Sequence, residues 1–153
     1  MNARFMSLVD GLHSKYESLI SMEPVTIDAV PGKTPKGGIY LFSDAGHHLY
    51  VGRTKRDIRA RLKDHVGTSD DCPFAWHLAR EATGNKIASY KKQGSRKNLL
   101  SQPRFRKAYE DAKKKIRVME VRYVSESDPL KQALLEIYVA VAAHAKHNDF
   151  DTH

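Results

Sequence analysis

Tyr40 and Tyr50 each belong to a short strand-like run, Ile39 to Ser43 (IYLFS) and His48 to Gly52 (HLYVG), with Asp44-Ala45-Gly46 between them. That connector has a turn composition, so the two runs read as a hairpin. With those three residues as the loop, Ser43 faces His47 and the register sets Tyr40 opposite Tyr50. Two phenols then share one face, and Gly38 and Gly52 leave it open beside them. Such a pair either packs as a cross-strand aromatic contact or forms one side of a site. A second signal stands far downstream. Between Ala133 and Ala143 (ALLEIYVAVAA) the single charged residue is Glu136. A desolvated carboxylate is unfavourable unless a cation accompanies it. One such partner is an arginine; another is a hard divalent ion, which suits carboxylate oxygen.

Charge gives a third signal. The net charge is +8 over 153 residues, and its location says more than its size. Residues 86–117 hold twelve Lys/Arg against Glu110 and Asp111, and residues 53–63 hold six against Asp57. Two basic blocks on a mildly acidic body suggest an electrostatic footprint for a polyanion, most commonly a phosphate backbone. The longer block lacks the large apolar residues that would anchor a helix in lipid.

These residues need elements to position them. Phe5, Leu8, Val9, Leu12, Tyr16, Leu19 and Ile20, spaced by three and four, predict one amphipathic helix over 3–20. Residues 21–37 contain three prolines and read as an extended connector. Thr54-Lys55-Arg56-Asp57 resembles a capping box that starts a helix to about residue 66. Arg61 and His65, four apart, stack on its flank. Pro73 begins a helix that Gly84 ends, and residues 85–100 read as a loop. Ser101 and Pro103 start another helix, carrying Phe105, Ala108, Tyr109 and Ala112. Ile116 to Val124 is a third strand, and Asp128-Pro129 caps a last helix to about residue 145. Its stripe of Leu130, Leu134, Ile137 and Val141 is expected to face the core. The order predicts a small α/β (α+β) domain, a three-stranded sheet flanked by helices, over residues 1–153. Within it lie an N-terminal helix and connector (1–37) and a basic helical insertion (66–115).

Size and composition fit one soluble domain. The single cysteine, Cys72, excludes an internal disulfide framework and fits a reducing, cytoplasmic setting. No apolar run approaches the length of a membrane span. Asp10, Lys15 and Glu17 interrupt what would otherwise be a signal peptide. His144, His147 and His153 with Asp149 and Asp151 match no common zinc spacing and sit at a chain end, so zinc is not expected.

Taken together, these residues resemble the GIY-YIG nuclease superfamily. Gly38-Ile39-Tyr40 matches the first triplet, and Tyr50-Val51-Gly52 the second with Val for Ile. Arg61 and His65 match the arginine and histidine of the following helix, Leu134-Leu135-Glu136 the acidic helix, and Asn148 the asparagine beyond it. The elements appear in family order over 38–65 and 116–148. His147 stands where the family usually has tyrosine, and no separate DNA-binding domain is attached.

The resemblance implies a three-stranded antiparallel sheet and a metal-dependent endonuclease acting on nucleic acid, most readily double-stranded DNA. Tyr40 would deprotonate or orient the attacking water, with Tyr50 as its partner. Arg61 would bind the scissile phosphate and His65 would assist there. Glu136 would hold one Mg²⁺ or Mn²⁺, and Asn148 would support the site. A phenol of ordinary pKa, about 10, is ionised to roughly one part in a thousand at pH 7, so nearby positive charge is required. Arg61, the metal, and Arg53 or Lys55 could supply it, and Arg53 and Lys55 could bind nucleic acid. Lys91, Lys92, Arg96, Lys97, Arg104 and Arg106 of the insertion can contact phosphates without reading sequence. Tyr90 and Phe105 could stack on bases, although helical spacing more often marks a residue like Phe105 as core. Cutting both strands with one site per chain would need a homodimer or two successive nicks. A nucleic-acid-binding module without catalysis, and a nuclease for RNA or branched structures, are the competing readings.

Overall fold

A hairpin as apolar as this one must cover a face, and helices from both ends of the chain do so. In a computed structural model, which describes residues 1–85, 95–148 and 150, the chain forms two units. The first is Met1–Lys63 with Met119–Asn148; the second is Asp64–Val118 with Asp149–His153.

The first unit is built on an antiparallel three-stranded sheet. Strand β1 (Lys36–Asp44) lies between β2 (His47–Asp57) and β3 (Glu120–Ser125). Side chains alternate across a strand. On one face Ile39, Leu41 and Val51 pack with Leu12 and Leu19 of α2 (Leu12–Ser21) and with Leu135 and Val139 of α7 (Pro129–Ala142). Tyr40, Phe42, Tyr50 and Gly52 occupy the other face.

The hairpin register differs from the expected one. Tyr40 pairs with Gly52 and Phe42 with Tyr50. The loop is the two residues Ala45-Gly46, both at positive φ (50° and 79°), so Asp44 faces His47. A bulge between Phe42 and Ser43 then shifts the pairing by one, which re-aims the strand beyond it. The tyrosines keep a common face but stand diagonally.

Other expectations are corrected for physical reasons. The N-terminal helix is two, α1 (Ala3–Val9) and α2, because Gly11 takes the left-handed conformation (φ 84°) and breaks the rod. Strand β2 runs on through Thr54 to Asp57, so Asp57, not Thr54, starts α3 (Ile58–Asp64). Its Oδ2 accepts from Ala60 N–H at 2.9 Å, while the Thr34 hydroxyl donates to Oδ1 at 2.7 Å and accepts from Arg59 N–H. These hydrogen bonds, Thr34's first, hold the Asp57 carboxyl below its usual range.

The buried stripe of α7 is Gln132, Leu135, Val139 and Ala140. Leu130, Ile137 and Val141, expected in the core, are 49%, 47% and 64% exposed. A helix apolar nearly all round offers several stripes, and periodicity does not choose among them. Asp128 caps this helix, accepting from the Leu130 and Lys131 amides.

The second unit is helical: α4 (Pro73–Thr83), α5 (Arg96–Ser101) and α6 (Pro103–Val118). Gly84 (φ 78°) ends α4. Ser95 caps α5 inside the expected loop, accepting from Asn98 N–H. Helix α6 extends past Ile116 because that residue continues the buried 3-4 spacing of Phe105, Tyr109 and Ala112. The third strand therefore begins at Glu120. Among the described residues no helix is long and apolar enough to cross a membrane.

Candidate active site

Tyr40 is fully buried on the sheet face away from α7, and its ring lies over Gly52. A Cβ at position 52 would come within 2.3 Å of both Tyr40 Cζ and Oη. Glycine is thus required there by close approach, not by backbone angle. Phe42 meets the same ring edge-on at 5.8 Å between centroids. Gly38 has a parallel reason: a Cβ would sit 2.2 Å from the Val124 carbonyl of β3 and 2.9 Å from Ile58 Cδ1. The two glycines let β1 sit tightly between its neighbours and let the phenol lie flat on β2.

Helix α3 turns Arg61 toward this phenol. Arg61 Nε–H donates to Tyr40 Oη at 3.3 Å. A guanidinium on a phenol oxygen favours its ionised form, whereas burial of the ring opposes it. Tyr50, half-buried, stands diagonally on the same face.

Glu136 is approached from the other side of β2. Arg53 pairs in register with Ile39, hence on the α7 face. Its Nε donates to Glu136 Oε2 at 2.9 Å, with side chains 46% and 25% exposed. Burial pushes the Glu136 carboxyl above its usual range, and the Arg53 guanidinium pulls it back in part. Gly52 under the phenol and Arg53 on the carboxylate are successive residues. The edge strand therefore carries both groups, one on each face.

Asn148 secures that strand. Its Oδ1 accepts from Val51 N–H at 2.8 Å and its Nδ2 donates to Val51 C=O at 2.9 Å. The Lys146 and His147 amides donate to the carbonyls of His48 and Leu49. The C-terminal segment thus pairs along the outer edge of β2, and Asn148 grips the residue between Tyr50 and Gly52.

Helix α3 ends at Asp64, and His65 belongs to the second unit. It is buried there, with Nδ1 3.2 Å from Cys72 Sγ, and the thiol donates to the His65 carbonyl. Around it Cys72 N–H donates to Tyr109 Oη, Tyr109 donates to Ser69 C=O, and Lys113 Nζ donates to the carbonyls of Gly67 and Ser69. Burial raises the Tyr109 phenol to about 12, so it remains a neutral donor.

Of the basic candidates, Arg53 and Lys55 line an open groove of about 450 Å³ with Thr54, Pro129, Leu130 and Gln132. In the second unit Arg96 pairs with Asp71, and Arg106 with Asp70 at 2.8 Å. Arg80 and Arg96 each hold a guanidinium over the Trp76 ring, at 5.3 and 5.2 Å from its centroid. Lys97 and Arg104 are exposed. Phe105 is buried against Trp76, 5.1 Å between centroids, and has no face for a base. Tyr90, Lys91, Lys92, Asp149, Asp151 and His153 lie outside the described residues.

No family model, curated protein or solved structure matches the chain.

Glu136 offers one carboxylate, and among the described residues no group of three or more His, Cys, Asp or Glu side chains could enclose a metal. One carboxylate, here paired with Arg53, would suit Mg²⁺ or Mn²⁺ with waters and substrate phosphates completing the shell. An arginine partner for Glu136 is among the sequence expectations, but which arginine is not, since Arg53 stands 83 positions away. The strand alternation past Gly52 was the available signal.

Proposed function

We propose that the chain is a GIY-YIG-type endonuclease that hydrolyses phosphodiester bonds in DNA. The observation that carries this reading is the Arg61–Tyr40 hydrogen bond over Gly52. It supplies what a tyrosine base lacks, a fixed positive charge at the phenol oxygen. In this reading the Oη end of Tyr40, buried in the substrate-free chain, would take the proton of the attacking water, and Arg61 would stabilise the phenolate and bind the phosphate. Tyr50 orients the water or the phosphate from its diagonal position. Asn148 acts at one remove, by holding Val51 and so the strand that bears Tyr50, Gly52 and Arg53. Glu136, on the other face of β2 from Tyr40, would hold the divalent ion, which when bound supplies charge neutralisation at the phosphate; one phosphate would meet both groups only by lying across that strand. His65, expected to assist at the phosphate, is buried and hydrogen-bonded to Cys72.

The test is incubation with supercoiled plasmid and Mg²⁺ or Mn²⁺, wild type beside Glu136→Ala. Wild type should nick the plasmid, and the variant should bind without nicking. Failure to cleave by both, over several metals and with DNA, RNA and branched substrates, would leave a binding module. The Arg53–Glu136 ion pair favours that second reading, since it neutralises the carboxylate without any metal. Because the phenol's ordinary pKa is about 10, cleavage should rise from pH 7 to pH 9 when chemistry limits the rate. A flat profile would remove Tyr40 as the base.

A further inference from the structure

Arg53 has two chemically suitable partners within reach of one side chain. The first is Glu136, met through Nε. The second is any phosphate in the groove that Arg53 shares with Thr54 and Lys55. The guanidinium fork matches phosphate as well as carboxylate. Glu136 is fixed on α7 and mostly covered, whereas Arg53 is nearly half exposed on an edge strand. Arg53 is therefore the member that moves. A pair so open to solvent is weak, so exchanging it costs little.

Resting on the endonuclease reading, we infer that Arg53 is a positioning residue that occupies Glu136 until a DNA phosphate draws it away, so that DNA and divalent cation bind cooperatively. Without DNA the arginine competes with the cation for the same carboxylate oxygen. With DNA it turns to the strand and leaves that oxygen open. Such coupling is reciprocal: DNA tightens cation binding by the factor by which the cation tightens DNA binding. The arrangement keeps the protein metal-poor until substrate arrives.

The experiment reads bound Mn²⁺ by electron paramagnetic resonance, with and without a short DNA duplex. Every chain carries Tyr40→Phe, so that no cleavage interferes. Arg53→Gln should bind Mn²⁺ roughly 1.5- to fivefold more tightly than its parent without DNA, the range expected of a solvent-exposed ion pair. Its gain on adding DNA should shrink by a similar factor. Arg53→Lys, which keeps the charge, should fall between, and circular dichroism would verify that each variant is folded. Mn²⁺ binding by Arg53→Gln that is unchanged or weaker without DNA would overturn the inference. If Glu136→Gln abolishes Mn²⁺ binding in that same case, the metal assignment stands and only the exchange fails. If Glu136→Gln binds Mn²⁺ as its parent does, the metal assignment itself fails and the exchange with it.

Discussion

At Gly52 one missing methyl decides whether Tyr40 can lie where Arg61 reaches it. Gly52→Ala would place Cβ 2.3 Å from the ring, and the ring belongs to a packed, fully buried residue. Overpacking of this kind costs about 1–3 kcal/mol. The variant should unfold at lower urea and lose nicking even where it remains folded. Wild-type stability in urea would show that the ring has room to move. Glu136 carries a different cost. Its folded pKa is raised, so its ionised form opposes folding, and stability falls as pH rises through that pKa. Glu136→Gln removes this cost, while Arg53, well solvated, tolerates the loss. The variant should melt about 1–3 °C higher at pH 7. The advantage should disappear below the ordinary carboxyl range, near pH 4. A lower melting temperature at pH 7 would mean that the pair stabilises on balance.

At the scale of elements, β2 is the strand on which the site depends. It is an edge strand, and edges that lack a partner are liabilities. Here the C-terminal segment covers it, with Asn148 holding both backbone groups of Val51. Asn148→Ala leaves a partly buried amide and carbonyl unpaired, at about 1–3 kcal/mol. Exchange of the Val51 amide should accelerate, and nicking should fall with Tyr40 and Arg61 intact. Asn148→Asp keeps the acceptor and loses the donor, so it should fall between. An unchanged Val51 exchange rate would contradict the clamp. The same element shows where sequence patterns mislead. Asp44-Ala45-Gly46 reads as a three-residue loop, yet the left-handed pair Ala45-Gly46 suffices to turn the chain. The shorter loop and the bulge beyond it, which no local residue announces, each shift the register by one and together move Tyr50 from Tyr40 to Phe42.

At the scale of the molecule, charge is divided between the two units. The first carries Arg53 and Lys55 beside the site, and the second carries exposed Lys97 and Arg104. Arg96 and Arg106 are already paired with Asp71 and Asp70, so they are weaker footholds for phosphate than composition suggests. DNA affinity should fall linearly with log salt, and Lys97→Ala with Arg104→Ala should reduce the slope by roughly two. The loss should be the same for unrelated duplexes. An unchanged slope would exclude both from the footprint.

The sequence alone determined the hairpin, the glycine-tyrosine triplets, the capped last helix and the three-stranded α+β architecture, because turn chemistry, alternation and capping act between near neighbours. It also limited Glu136 to a cation partner, since a carboxylate among apolar residues has few alternatives. Only the tertiary structure decided which arginine meets Glu136, which face of α7 is buried, and that His65 is hydrogen-bonded to Cys72 in the second unit. Those outcomes depend on register and on packing between segments distant in the chain. A single bulge or a choice among equivalent apolar stripes alters them without any local trace.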